Sequence, residues 1–197
     1  MKRIAGIILV LALALTAPAL MAQNTNTEER GEFGIYADYT RLHHLNNANY
    51  WGLGGQLAFN LSRHVQLEGN MAYDFERNFT TTTTTGGTTT FQRTGLRLLS
   101  GLFGPKIQTG VGPVKVYGVL KGGFLNFQVN NRPLASGFAT QVGTVPGGDT
   151  NGVFYPGGGI EFFAGKIGIR AEIGDEMYWD NGVNHNLKFT VGPQIRW

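Results

Sequence analysis

The chain has 197 residues, of which 42% are hydrophobic and 15% charged, with 30 glycines, no cysteine and a formal net charge of +3. The missing cysteine excludes disulfide staples and a lipidated cysteine anchor, and the charged fraction falls well below the roughly 25% of soluble domains. Two of the positive charges belong to a leader, so the remainder carries only +1 and shows no nucleic-acid footprint.

That leader is legible first. Lys2 and Arg3 precede an uncharged apolar run at residues 4–15, and Ala17, Pro18, Ala19 and Ala22 follow. This is the pattern of a secretory signal peptide, residues 1–22, cleaved after Ala22 or alternatively after Ala19. Residues 23–31 are polar and read as a flexible lead. Residues 32–197 form the folded domain.

From Glu32 onward, polar and apolar residues alternate with a period of two, the signature of strands with one greasy face. In the first strand Phe33, Ile35, Ala37 and Tyr39 oppose Glu32, Gly34, Tyr36, Asp38 and Thr40. Residues 41–49 are polar and read as a loop. In the second strand Trp51, Leu53, Gly55, Leu57 and Phe59 share a face, and a tight turn at residues 60–64 follows. The third sets Val65, Leu67, Gly69, Met71, Tyr73 and Phe75 against Gln66, Glu68, Asn70, Ala72 and Asp74. Residues 76–90 contain six consecutive threonines, two glycines and three further threonines. Such low-complexity polar sequence reads as a mobile loop.

The fourth strand sets Leu96, Leu98 and Leu102 against Arg93, Arg97, Leu99 and Phe103, and turns at residues 108–113. In the fifth, Val114, Val116, Leu120 and Phe124 oppose Lys115, Tyr117, Val119 and Lys121. Parity slips at Phe124-Leu125, which predicts a bulge. Residues 130–152 form the longest polar loop. The sixth strand sets Phe154, Ile160 and Phe162 against Tyr155 and Glu161. After a minimal turn at residues 164–166, the seventh sets Ile167, Ile169, Ala171 and Ile173 against Gly168, Arg170, Glu172 and Gly174. Residues 175–186 read as a loop. In the eighth strand Leu187, Phe189, Val191, Pro193, Ile195 and Trp197 alternate with Lys188, Thr190, Gly192, Gln194 and Arg196. Pro193 cannot donate to a ladder, so a bulge is expected at Gly192-Pro193.

Eight strands with no helical periodicity define an all-β chain, and four features say which face points inward. The polar face is rich in glycine and poor in charge, the apolar face is expected to carry no charge, and aromatics (Phe33, Tyr39, Trp51, Phe59, Phe75, Phe154, Phe162 and Trp197) cluster near strand ends. Connections alternate long and short. Together these predict an eight-stranded antiparallel up-and-down transmembrane β-barrel with an apolar outside, placed in a Gram-negative outer membrane.

Phe103-Gly104-Pro105-Lys106, Gly157-Gly158-Gly159-Ile160-Glu161-Phe162 and the terminal Val191-Gly192-Pro193-Gln194-Ile195-Arg196-Trp197 resemble the small eight-stranded outer-membrane barrel families. The resemblance is to the transmembrane domain of outer-membrane protein A and to the outer-membrane protein β-barrel domain, and it covers residues 32–197. It implies a porin-like barrel with a structural role or limited passage of small solutes. With the sequence ending at Trp197, a periplasmic peptidoglycan-binding domain is not expected. The resemblance further implies that Phe189, Val191, Ile195 and Trp197 are the signal read by the barrel-assembly machinery. Outer-membrane lipid, lipopolysaccharide and periplasmic chaperones are the other expected partners of what reads as a monomer.

Charges on the polar face form the candidate site: Asp38, Glu68, Asp74, Glu161 and Glu172 against Arg93, Arg97, Lys115, Lys121, Arg170, Lys188 and Arg196. The favoured reading is a paired structural core; the other is a charge-lined gate. His43, His44, His64 and His185 read as solvated loop and rim residues without metal-ligand spacing. Ser62 lies near His64 in a turn on the wrong side for a lipid A substrate, so no enzyme and no cofactor is expected. The long loops offer the alternative function, adhesion or ligand contact at the cell surface.

Overall fold

The computed structural model describes residues 30–43, 47–85, 88–109, 112–132, 150–180 and 182–197, and for strand residues 79–94 and 129–132 only the backbone. The leader and nearly all of the lead lie outside these residues. Eight strands follow one another: β1 (Gly31–Leu42), β2 (Ala48–Asn60), β3 (Val65–Thr85), β4 (Thr88–Gln108), β5 (Val114–Arg132), β6 (Thr150–Ala164), β7 (Ile167–Trp179) and β8 (Val183–Arg196). Each pairs antiparallel with the next, and β1 pairs with β8, so the sheet closes into a barrel. Closure pairs the first strand with the last, the condition for crossing a lipid interior with strands. Strands of 12–15 residues in β1, β2, β6, β7 and β8 exceed the 9–11 or so that a tilted transmembrane strand needs.

The seam is tied at the termini. Arg30 and Gly31 N–H donate to Trp197 O at 2.5 and 3.2 Å, and Trp197 N–H donates back to Gly31 O at 3.1 Å. Gly31, expected in the flexible lead, is therefore the first residue of β1.

The alternation resolves into an apolar exterior and a polar interior. Ile35, Leu53, Met71, Ile107, Ile160, Ile169 and Phe189 point outward and are exposed, while Glu32, Glu68, Lys106 and Glu161 are 0% exposed. Water would favour the opposite arrangement, since burying these charges while exposing a continuous apolar belt costs on both counts. Surrounded by lipid, the same arrangement is the favourable one.

Several expectations are corrected. The threonine tract is strand: β3 runs to Thr85 and β4 starts at Thr88, with Thr83 opposite Thr90 and Thr85 opposite Thr88. Threonine is β-branched and favours extended backbone, so a tract too polar for a core still carries a two-stranded ribbon. Residues 175–186 are likewise mostly strand, because β7 and β8 extend into them, and residues 41–49 give up their ends to β1 and β2. The 130–152 loop keeps Arg132 and Thr150 at its strand ends, with residues 133–149 outside the described set. Short turns still gather at one rim, the turn rim, together with the termini. At the opposite loop rim the asymmetry lies in strand length, 21 residues each in β3 and β4 and 19 in β5.

Neither expected bulge exists. Pairing of β5 with β4 and β6 runs in constant register past Phe124-Leu125; Leu125 and Phe127 are apolar yet face inward, 1% and 0% exposed, which mimics a slip. Register is equally constant through Gly192-Pro193. There the β1–β8 ladder skips Ile35 and Tyr36, so Pro193 leaves a gap in bonding without inserting a residue. The bulge that does occur lies in β3, between Asp74 and Arg77.

Candidate functional site: the barrel interior

Parity in β4 is the reverse of what the charges suggested. Leu96, Leu98 and Leu102 are buried in the interior with Ser100 and Lys106, and Arg97 stands on the outer face. Its Nη1 donates to the Tyr73 hydroxyl at 3.4 Å. Arg97 is thus no lumen residue, and the outer face carries charge near the loop rim. The side chain of Arg93 falls among those not described. Arg97→Ala is expected to change unfolding free energy by less than about 0.5 kcal/mol in urea titrations, as an exposed surface substitution does; a loss of several times that would put its guanidinium back inside.

Nine of the twelve expected network residues do line the interior: Asp38, Glu68, Asp74, Lys115, Lys121, Glu161, Arg170, Glu172 and Lys188. Arg196 sits at the turn rim, its guanidinium carbon 4.5 Å from the Phe163 ring centre and its Nε donating to Gly165 O at 2.7 Å. Three members were missed. Glu32 lies on the polar face of β1, Lys106 shares its parity with the interior leucines, and Glu176 belongs to the end of β7, within the segment expected to be loop.

The interior charges fall into two tiers. In the turn half, Arg170 of β7 forms a fork on Glu68 of β3, Nη1 to Oε2 at 2.5 Å and Nη2 to Oε1 at 2.9 Å. It also bonds Glu172, reaches Glu161 at 3.5 Å and donates from Nε to the Tyr117 hydroxyl at 2.7 Å. Lys121 Nζ lies 2.6 Å from Glu68 and 3.0 Å from Glu172. Lys106 joins Glu161 to Glu32, the latter at 3.2 Å, and Lys115 lies 3.6 Å from Glu32. Gln66 Nε2 donates to Glu32 at 2.9 Å. Four carboxylates thus meet four cations across six strands, and every ion has at least one opposite charge in contact. Tyr117 roofs this tier, with Lys106 Nζ and the Arg170 guanidinium 4.6 and 4.5 Å from its ring centre. It can do so because Gly159 lies beneath it; a side chain there would strike the phenol.

Above, Gln56 Nε2 of β2 donates to Gln194 Oε1 of β8 at 2.9 Å, the two amides meeting over Gly34 of β1. The second tier, in the loop half, is centred on Lys188 of β8. Its Nζ lies 2.6 Å from Asp38 and 3.5 Å from Glu176, and donates to Thr40 and Ser100 hydroxyls at 3.3 and 3.4 Å. Beside it, β4, β5, β6 and β7 contribute an apolar cluster of Leu96, Leu98, Leu125, Phe127, Val153, Tyr155 and Tyr178, with the Phe127 and Tyr178 rings 5.4 Å apart. Side chains fill the lumen in both halves, as the diameter of eight strands implies.

The histidines do more than stand in solvent. His185 is on β8 and donates from Nδ1 to Asp175 of β7 at 2.6 Å, while His43 Nδ1 donates to the His185 carbonyl at 3.0 Å. They lace the loop rim; His44 lies outside the described residues, and no group of three potential ligands at metal-holding spacing occurs among those described. The Ser62 hydroxyl accepts the N–H groups of His64 and Val65 at 3.3 and 3.1 Å, stabilising the turn between β2 and β3. Phe189, Val191, Ile195 and Trp197 line the outer face of β8 and the turn-rim end of the chain, all exposed.

No family model matches the chain, and no curated protein matches its sequence. Solved structures do match in shape. The outer membrane protein OprG of Pseudomonas aeruginosa aligns with a TM-score of 0.55 at 12% identity, covering 88% of this chain and 99% of that one. Neisserial surface protein A aligns at 0.54 and 8% identity, covering 87% and 98%. Ail, the attachment invasion locus protein of Yersinia pestis, aligns at 0.50 and 14% identity, covering 86% and 97%, in a complex with the heparin analogue sucrose octasulfate. At such identities the likeness is one of fold.

Proposed function

We propose that this chain, which has the fold of the small eight-stranded outer-membrane barrels, is a closed structural barrel of the outer membrane that displays its long strands at the cell surface. The observation carrying this reading is the filled interior: two ion-pair tiers and an apolar cluster occupy the lumen. That favours a structural role over passage of solutes. Orientation follows from the rims, since short turns face the periplasm and longer elements the outside in such barrels. The signal peptide at residues 1–22 accounts for export and is removed, and the outer belt meets lipid and lipopolysaccharide. Phe189, Val191, Ile195 and Trp197 serve as the assembly signal.

What projects is the β3–β4 ribbon. Beyond Asn78 on β3 and Arg93 on β4, no other strand pairs with it among the described residues. Its outer backbone edges are unpaired there and its sequence is rich in uncharged threonine, the feature through which surface adhesion would act. A planar-bilayer recording tests the closed lumen. Purified barrel is expected to give no steady channels, both as the full chain and after the tip at residues 80–92 is replaced by a short turn. Stable single-channel steps in either protein would overturn the structural reading in favour of solute passage.

A further inference from the structure

The outer belt is dented over β2 to β5, where large apolar residues and glycines alternate along two neighbouring rungs. One rung runs Leu57, Gly69, Phe103 and Gly122; the other runs Gly55, Met71, Gly101 and Phe124. Each large residue stands beside a glycine, both across the ladder and along its own strand. With Phe33 of β1 closing one end, the glycines floor a groove of about 660 Å³.

The barrel's own packing does not demand three of these glycines. A Cβ built at Gly55, Gly69 or Gly122 would meet its nearest neighbour at 3.7, 3.6 and 3.8 Å respectively, which is ordinary contact. Inside the barrel the opposite holds: at Gly54 and Gly159 it would strike Tyr36 and Tyr117 at 2.3 and 2.4 Å. Gly101 alone of the four has a local reason, because the Phe124 ring lies over it and forms an end wall. Glycine weakens a strand through backbone entropy and missing side-chain packing. Where no internal neighbour requires it, it marks a surface that another group approaches closely.

The groove's chemistry says which group. No charged residue lines it, and its polar side chains are Gln56 and Asn70, from the inward register. The floor glycines are paired in ladders on both sides, so the floor offers no site for a polar ligand. A second barrel would bring a convex wall that rests on the rims of the dent and leaves the floor empty. A hydrocarbon chain is thin enough to lie between the phenyl rings. A seat for one chain without a cation suits a phospholipid tail better than the many-chained, phosphate-rich lipopolysaccharide.

We propose that this groove holds one acyl chain of a membrane phospholipid, packed on the glycine floor between Met71, Phe103 and Phe124. Association within lipid is driven by van der Waals packing, and a chain lying in the dent gains contacts on its flanks as well as beneath it. The inference rests on the reading that the belt faces lipid and adds a place where one lipid is retained.

The methionines of residues 23–197 are Met71, in the groove, and Met177, which pairs with Phe154 and His185 near the loop rim. The exported chain, residues 23–197, is isotopically labelled at its methionine methyls and folded in uncharged detergent. It is then titrated with phosphatidylcholine carrying a nitroxide near the end of one chain. The Met71 methyl resonance is expected to broaden saturably, levelling off at one labelled lipid per barrel, while Met177 broadens in proportion to the lipid added. Gly55→Leu/Gly69→Leu fills the floor and is expected to weaken the saturable binding at least about tenfold, with the heat-dependent gel shift reporting a folded barrel. Should that pair not fold, Gly122→Leu narrows the groove from β5 and is expected to act in the same direction. Proportional broadening of both methyls would overturn the seat and leave the lipid-facing belt standing; no broadening of either would overturn the belt and the seat with it. Unchanged saturation in the folded variants would also overturn the proposal. So would a sedimentation mass of two barrels that falls to one when the groove is filled, which would assign the dent to a second copy.

Discussion

Replacing Arg170 by alanine is expected to destabilise the folded barrel by about 3–5 kcal/mol, the cost of breaking a buried ion pair from one side. Arg170 touches Glu68, Glu161 and Glu172, so its loss leaves carboxylates from three strands with too few counter-charges and no water to replace them. Lys121 and Lys106 hold part of the network, but neither offers a planar fork. Arg170→Lys keeps the charge and loses the two parallel bonds to Glu68, and is expected to cost less, about 1–3 kcal/mol for charge-assisted hydrogen bonds. Urea unfolding of the barrel in vesicles measures both. A loss below about 1 kcal/mol for Arg170→Ala, the worth of an exposed pair, would mean that this tier is solvated.

Met71→Arg is expected to cost about 2–4 kcal/mol through a different physics, the transfer of a charge onto the lipid side near the midplane. Met71 is exposed midway along the membrane-crossing part of β3 and is flanked in the ladder by Gly55 and Gly101. Those glycines provide no polar neighbour for a guanidinium, and the rim is far for the side chain to snorkel to. The same unfolding titration applies, with Arg97 as the natural comparison because it already stands outward near the loop rim. A neutral Met71→Arg would place the belt in water or against protein.

The fold was legible where the interior is polar. In β1, β2, β3, β7 and β8 one face carries charge, amide or glycine and the other carries Phe, Ile, Leu or Val, so a period of two identifies both strand and face. In β4 that contrast fails. Leu96, Leu98 and Leu102 build the interior cluster while Leu99, Phe103 and Ile107 meet lipid, so both faces are greasy and parity has no anchor. Reading Arg97 as inward inverted the strand. Lys106, on the same parity as the leucines and ten or fewer residues away, carries the opposite and correct information, because its neighbours Pro105 and Ile107 give the other face an apolar character. Phe127 and Leu125 misled in the same way in β5.

The missing members of the network have equally local causes. Glu176 falls in a segment whose polarity near a rim resembles a connection. Threonine in β3 and β4 is polar enough to suggest loop, although its branched side chain governs backbone preference. Pairing of the tiers themselves was not readable, since Arg170 meets Glu68 across 102 positions of sequence, a contact set by barrel closure alone.

The central claim is the inverted sidedness, lipid outside and charge within, and the chain's lack of cysteine makes it directly measurable. Single cysteines placed in turn at residues 167–173 of β7 can be spin-labelled and the barrel folded into lipid vesicles for oxygen-accessibility measurements. High accessibility is predicted at 167, 169, 171 and 173 and low accessibility at 168, 170 and 172. A flat profile, or one with the even positions in lipid, would contradict the account.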